Sequence, residues 1–183
     1  MFANSAHLYD AVYSFKDYRA ESERLHALIE ECSPGASMLL DVACGTGKHL
    51  EQLRAWYEVS GLDLDPQLVA VARERLGAVE LHEGDMTAFS LGRRFDAVTC
   101  LFSSIGYVGT VERLREAIAA MAAHLKSRRR ADRRTVAVTG RVDRRSATQT
   151  SGVSHGSTIS TPPGLRWAAM AAIAPPSRSI VPT

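Results

Sequence analysis

Two hydrophobic rhythms alternate along the first two-thirds of the chain. Short runs of strand character stand at Met38–Leu40, Glu58–Leu62, Val79–His82 and Arg94–Leu101. Between and around them apolar residues recur at helical spacing: Leu25, Leu28 and Ile29 within Ala20–Glu31; Leu50, Leu53 and Tyr57 after Lys48; Leu68, Val69, Ala72 and Leu76; and Leu114, Ile118, Met121 and Leu125 within Val111–Leu125. Pro34-Gly35 ends the first of these helices, and Asp65-Pro66 opens the third with an N-cap and a proline in its first turn. Strands alternating with helices predict an α/β fold built on a parallel sheet. The Met-Leu-Leu run fits a strand buried on both faces.

The first strand ends in Asp41, and Gly45 and Gly47 bracket Thr46 before the next helix begins at Lys48. Strand, glycine turn and helix in this order open a nucleotide-binding βαβ unit. Glycine lets the backbone approach a ligand closely, and the first amides of the helix are free donors. The dinucleotide fingerprint G-x-G-x-x-G does not fit, because this stretch reads Asp-Val-Ala-Cys-Gly-Thr-Gly.

Further acids stand at strand ends. Asp63 closes the second strand 18 residues after Gly45, where a carboxylate can take two hydrogen bonds from a ribose diol. Asp85 and Met86 follow the third strand, placed to accept from an adenine amine and to pack its ring. Asp96 opens the fourth strand. The loop Phe102-Ser103-Ser104-Ile105-Gly106-Tyr107 leaves that strand's carboxyl end, where ligands of open α/β sheets sit, so it is expected to face the site. Tyr9, Tyr13 and Tyr18 precede the first helix, either as packing residues or as a lid over the ligand edge.

Composition narrows the picture. The 183 residues are 45% hydrophobic and 23% charged, one domain's worth of a soluble protein. No apolar run approaches membrane-spanning length and no signal segment opens the chain, so a cytoplasmic protein is expected. Cys32, Cys44 and Cys100 lack metal-ligand spacing and are expected to be reduced thiols. Charge divides the chain: residues 1–126 hold 12 Lys+Arg against 18 Asp+Glu, whereas residues 127–183 hold 10 Arg against 2 Asp.

The segments DVACGTG, GLD, EGDM and FDAV together resemble the class I S-adenosylmethionine (SAM) methyltransferases over about residues 9–126, with Ala43 at the first motif glycine. YDAVY, KDY, LLDVACGTGKHL, LHEGDM and FSSIGY are similar, more narrowly, to the N,N-dimethyltransferases that act on dTDP-linked 3-amino-3,6-dideoxyhexoses in macrolide pathways. The resemblance implies a Rossmann-like sheet and SAM as cofactor, with Ala43 and Gly45 along its methionine part, Asp63 at the ribose, Asp85 and Met86 at the adenine, and Tyr18 and Leu101 bordering it. Tyr13, Ser103, Ser104 and Tyr107 would face the sugar nucleotide. An amine is already a nucleophile, so positioning and desolvation are expected to carry most of the rate. Tyr13 and His124 are the candidates to orient or deprotonate it, although a histidine near a helix end is more often structural. No metal is implied. Alternative readings are a methyltransferase for another small amine, or a non-catalytic SAM-binding remnant. A homodimer is compatible with the sequence.

After Lys126 the family continues Pro-Gly-Gly, an apolar strand and Glu-Pro-Trp, whereas this chain reads Ser-Arg-Arg-Arg-Ala-Asp-Arg-Arg. The expected architecture is therefore an incomplete sheet over residues 1–126, with an N-terminal lid at 1–33, and an irregular Arg/Ser/Pro-rich tail at 127–183. Without its neighbour the fourth strand would be an exposed edge. The tail is either a basic module for nucleic acid or an acidic partner, or the product of a changed coding frame. Read one base forward, the codons for SRRRADRRTVA can encode PGGGLIVEPW, ten successive residues of the family's continuation.

Overall fold

The computed structural model describes residues 16–126, 134–140 and 165–171. The elements run α1 (Tyr18–Cys32), β1 (Met38–Val42), α2 (Lys48–Leu53), β2 (Glu58–Asp63), α3 (Pro66–Leu76), β3 (Glu80–Glu83), β4 (Ala97–Cys100), a 3-10 turn (Ser104–Val108), α4 (Val111–Ala123), β5 (Arg134–Gly140) and β6 (Leu165–Ala171). The strands form one sheet in the order β3-β2-β1-β4-β5-β6, with every described pairing parallel. All carboxyl ends therefore lie along one edge.

Period-two alternation in β1 divides the core into two layers. Leu39 joins Leu25, Ile29, Leu50, Leu53, Val69 and Leu76 on the face covered by α1, α2 and α3. Leu40 and Val42 join Phe95, Val98, Ala117, Met121 and Leu125 on the face covered by α4. Both leucines are fully buried, so β1 is sealed on its two faces and flanked by β2 and β4. The caps follow local chemistry: Asp17 accepts from Ala20 N, Asp65 from Gln67 N and Thr110 from Arg113 N.

The amino edge of the sheet is tied down by Asp96. Its Oδ2 accepts from Ser37 N (3.2 Å), Ser37 Oγ (3.2 Å), Met38 N (3.0 Å) and Lys126 Nζ (2.9 Å). Phe95 pairs with the chain leaving α4: its N–H donates to the His124 carbonyl, and Lys126 N donates back to the Phe95 carbonyl, each at 2.8 Å.

The stretch after Lys126 corrects one expectation. β4 is not an edge: it pairs with β5 from Ala97↔Thr135 to Cys100↔Val138, and β5 pairs with β6 along its length. The physical reason is local. Thr135, Val136 and Val138 are β-branched residues that favour a strand, and Leu165–Ala171 is apolar enough to follow it. The expected irregular segments at 127–133, 141–164 and 172–183 lie outside the described residues, as does Tyr13.

Candidate functional site

Where β1 ends, the backbone turns in an unusual way. Ala43, Gly45 and Gly47 all have positive φ, at 60°, 57° and 77°. Nothing lies within 4 Å of where a Cβ on Gly45 would stand, so this turn presents bare backbone to open space. Gly47 is different, since a Cβ there would come within 2.7 Å of Leu76 and 3.2 Å of Ala72. One glycine leaves room for a ligand and the other lets α2 pack on α3. Ala43 carries the cost of a left-handed conformation with a side chain, roughly 1–2 kcal/mol. Ala43→Gly is accordingly expected to stabilise the protein by about 1 kcal/mol, read from urea midpoints, with no loss of ligand affinity.

The turn is held from β2. Asp63, at the carboxyl end of that strand and 8% exposed, accepts from Gly45 N at 2.7 Å through Oδ2 and from Asp65 N at 3.0 Å through Oδ1. Burial pushes its carboxyl up, and the amide bonds from Asp65 and Gly45 oppose that. Cys44 N donates to the Leu62 carbonyl, and Gly84 N to the Asp63 carbonyl, which brings the exits of β1, β2 and β3 together.

A cleft opens over the glycine turn. It is lined by Tyr18, Asp41, Ala43, Cys44, Gly45, Thr46, Lys48, His49, Leu101 and Phe102. The structure thus gathers four of the sequence-predicted cofactor residues, Tyr18, Ala43, Gly45 and Leu101, around one space. Asp63 meets that space through Gly45. Asp85 and half-buried Met86 stand one strand further along the same edge. Of the predicted acceptor-side residues, Ser103 sits at φ 61° just past β4, Ser104 is buried with its N–H on the Leu101 carbonyl, and Tyr107 is 88% exposed.

His124 lies elsewhere. Its ring stacks on Phe89 at 4.3 Å, Nδ1 donates to the Ala120 carbonyl at 2.7 Å, and Nε2 accepts from Leu91 N at 3.0 Å. Both ring nitrogens are engaged in holding the β3–β4 connection to α4, and the residue is not among those lining the cleft.

Several residues of the site have no signature in the sequence. Glu21, in the first turn of α1, accepts from Lys16 Nζ at 2.8 Å and from His49 Nε2 at 3.0 Å. His49 packs edge-on against Tyr18 at 5.0 Å and tilts over Phe102 at 5.7 Å, while the Lys16 ammonium lies over the Phe102 ring. Burial would raise the Glu21 carboxyl, but the bonds from His49 and Lys16 outweigh it and hold it low. This clasp joins the N-terminal helix, α2 and the loop after β4 around the mouth of the cleft. His49 lies 28 residues from Glu21, so only the docking of α2 on α1 could reveal the pair.

Asp41 forms the floor. It is 2% exposed and accepts from Thr99 Oγ1 at 2.7 Å. Burial pushes its carboxyl up to about 6, against the His49 charge and the Thr99 bond. The folded state therefore binds this proton more tightly than an unfolded aspartate at 3.8 does. Stability from this group rises as pH falls from about 6 towards 4 and is lost above 6, by at most about 3 kcal/mol. Asp41→Asn, which can still accept from Thr99, is expected to outlast the wild type in urea most strongly at pH 7.5, the advantage shrinking steadily towards pH 4.5. An advantage independent of pH would show that Asp41 does not titrate there.

The sequence profile described as "Methyltransferase domain" matches residues 39–128. Residues 39–128 thus carry a sequence pattern similar to that of a methyltransferase domain. A dTDP-3-amino-3,6-dideoxy-alpha-D-glucopyranose N,N-dimethyltransferase from Streptomyces fradiae is 50% identical over 123 residues, 66% of this chain and 48% of that protein. A dTDP-3-amino-3,4,6-trideoxy-alpha-D-glucopyranose N,N-dimethyltransferase from Streptomyces venezuelae is 46% identical over 124 residues, covering 66% and 52%. Among solved structures, a SAM-bound amino pentose methyltransferase from Micromonospora echinaspora involved in calicheamicin biosynthesis superimposes with a TM-score of 0.63 at 47% identity, covering 65% of this chain and 52% of that one. The chain spans about half the length of the curated relatives it matches. Its sheet has the Rossmann-like class I architecture of these methyltransferases. Among the described residues, no helix is long and apolar enough to cross a membrane.

Proposed function

We propose that this chain carries the cofactor half of a SAM-dependent N-methyltransferase acting on the amino group of a nucleotide-linked amino sugar in antibiotic biosynthesis. The observation that carries the reading is the open glycine turn pinned by Asp63, in a chain 43–50% identical to three dTDP-amino sugar N,N-dimethyltransferases. SAM, when bound, supplies a methyl group activated on a sulfonium. Asp63 is proposed to hold the ribose diol and Asp85 the adenine amine. Asp41, buried and acidic beneath the turn, is the group to face the methionyl ammonium. A ligand cation there would keep Asp41 ionised, so binding is expected to release a proton below about pH 6.

Tyr13 is proposed to orient the acceptor amine, with Ser103, Ser104 and Tyr107 towards the sugar nucleotide. His124 is better read as a structural pin, because its two nitrogens are committed to Ala120 and Leu91. The protein is taken to work in the cytoplasm on a small-molecule substrate. A change of coding frame near residue 127 accounts for the loss of the family's continuation, since the matching profile itself stops at residue 128. The chain as it stands is then a weak enzyme or none.

Calorimetry with S-adenosylhomocysteine tests the cofactor reading. Methyl transfer to a dTDP-3-aminohexose, measured beside transfer to glycine-type amines, tests the acceptor. Preference for the simple amines would favour a different small-molecule methyltransferase.

A further inference from the structure

The acid expected at the adenine is not alone. Asp85 Oδ1 accepts from Thr87 N at 2.9 Å and from Thr87 Oγ1 at 2.8 Å, and Asp85 Oδ2 accepts from Arg113 Nη2 at 2.7 Å. Thr87 is a local partner, two residues on. Arg113 comes from 28 residues away, in the first turn of α4, directly beyond the 3-10 turn Ser104–Val108. A cation is disfavoured at a helix amino terminus, where the dipole is positive. Here the guanidinium extends away from α4 to the carboxylate.

The pair is not explained by stability. Its side chains are 48% and 37% exposed, and such ion pairs contribute little. Geometry explains it better. The terminal torsion of a carboxylate is broad and two-fold, so Thr87 alone fixes one oxygen and leaves the group free to turn. Thr87 fills both lone pairs of Oδ1, while Arg113 fixes Oδ2 and leaves that oxygen one lone pair for an incoming donor.

We propose that Arg113 is a positioning residue for adenine recognition, holding Asp85 in the orientation that accepts from the exocyclic amine and linking the filled cofactor site to the Ser104–Val108 turn. The proposal rests on the reading of Asp85 as the adenine acceptor. Hypoxanthine replaces that amine with an oxygen, which the carboxylate repels, so the ratio of affinities for S-adenosylhomocysteine and S-inosylhomocysteine reports the contact.

The test is calorimetry of both ligands on wild type, Asp85→Asn, Arg113→Met and Arg113→Lys. Wild type is expected to prefer the adenine ligand by about thirtyfold, the size of a charge-assisted hydrogen bond gained or lost. Arg113→Met should lose about fivefold of that preference while its melting temperature stays within about 2 °C, as for an exposed pair. Arg113→Lys, which keeps the charge and a donor, should recover most of it. In wild type the ligand should also slow amide exchange across 104–108, and in Arg113→Met it should not. If Asp85→Asn abolishes the preference and Arg113→Met leaves it intact, the proposal falls and the Asp85 reading stands. If Asp85→Asn changes nothing, the Asp85 reading itself falls, and the proposal with it. Tighter adenine binding in Arg113→Met would also overturn the proposal, because Arg113 would then be competing for Asp85.

Discussion

Replacing Asp63 with alanine is expected to weaken S-adenosylhomocysteine binding by more than about a hundredfold and to cost the free protein about 2–4 kcal/mol. Two effects add. In the unliganded protein the side chain satisfies the amides of Gly45 and Asp65 at 2.7 and 3.0 Å from a nearly buried position. Removing it leaves two donors short of a partner at roughly 1–3 kcal/mol each. It also frees the glycine turn, whose left-handed residues hold their conformation only because something fixes them. On the proposed cofactor reading, the ligand then loses both its ribose acceptor and the shape of the wall above it.

Asp63→Asn separates the two. An asparagine oxygen can still hold one amide while its NH2 faces the other, so part of the turn survives. The discriminating ligand is the 2′-deoxy analogue: wild type should bind it about tenfold more weakly than the parent, and Asp63→Asn should scarcely distinguish the two. Calorimetry on the folded fraction, beside urea titrations, reads both quantities. A variant that is less stable yet binds normally when folded would show Asp63 to be a turn anchor without a ribose role.

The second large effect concerns the reading frame. Moving translation one base forward at codon 127 is expected to convert a chain with little or no methyl transfer into one that methylates a dTDP-3-aminohexose. The codon arithmetic is restrictive: successive CGN arginine codons allow only Gly, Ala, Val or Asp in the shifted frame, yet SRRRADRRTVA can still yield PGGGLIVEPW. The profile match ends at residue 128, and the match to the Streptomyces fradiae relative covers 48% of that protein. The physical consequence lies at the sheet. β5 and β6 give β4 a neighbour, but residues 127–183 carry 10 arginines against 2 aspartates, a composition that supplies few apolar side chains to cover both faces of central strands. The nucleotide sequence across codons 120–150 is the first measurement. A shifted frame that runs on without a stop supports the proposal, and one interrupted early makes the arginine-rich stretch an evolved segment. Its salt-dependent binding to an acidic partner would then be the thing to measure.

Much of the site was legible because its chemistry is local. The turn at Gly45 and Gly47 is written in consecutive residues, and Asp63 follows from strand spacing, since parallel strands joined by a helix bring their carboxyl ends together. Boundaries were less so. β4 is Ala97–Cys100, shorter than the run from Arg94, because Phe95 pairs instead with the segment leaving α4. Leu68 is only half-buried, and small Ala117 takes the buried place on α4 beside half-buried Leu114 and Ile118. Periodicity marks a face but does not say how closely its neighbour approaches.

The sequence by itself determined the alternation of strands and helices, the glycine turn, the acids at the strand ends and the break after Lys126, because each depends on residues within a few positions of one another. Tertiary structure alone decided the rest. It paired β4 with β5 in place of an open edge, joined Glu21 to His49, and brought Arg113 to Asp85. It also withdrew His124 to the Phe89 and Ala120 side. Each of these is set by how one element packs on another. Side chains 28 residues apart meet only when two helices or a helix and a loop have found their places on the sheet.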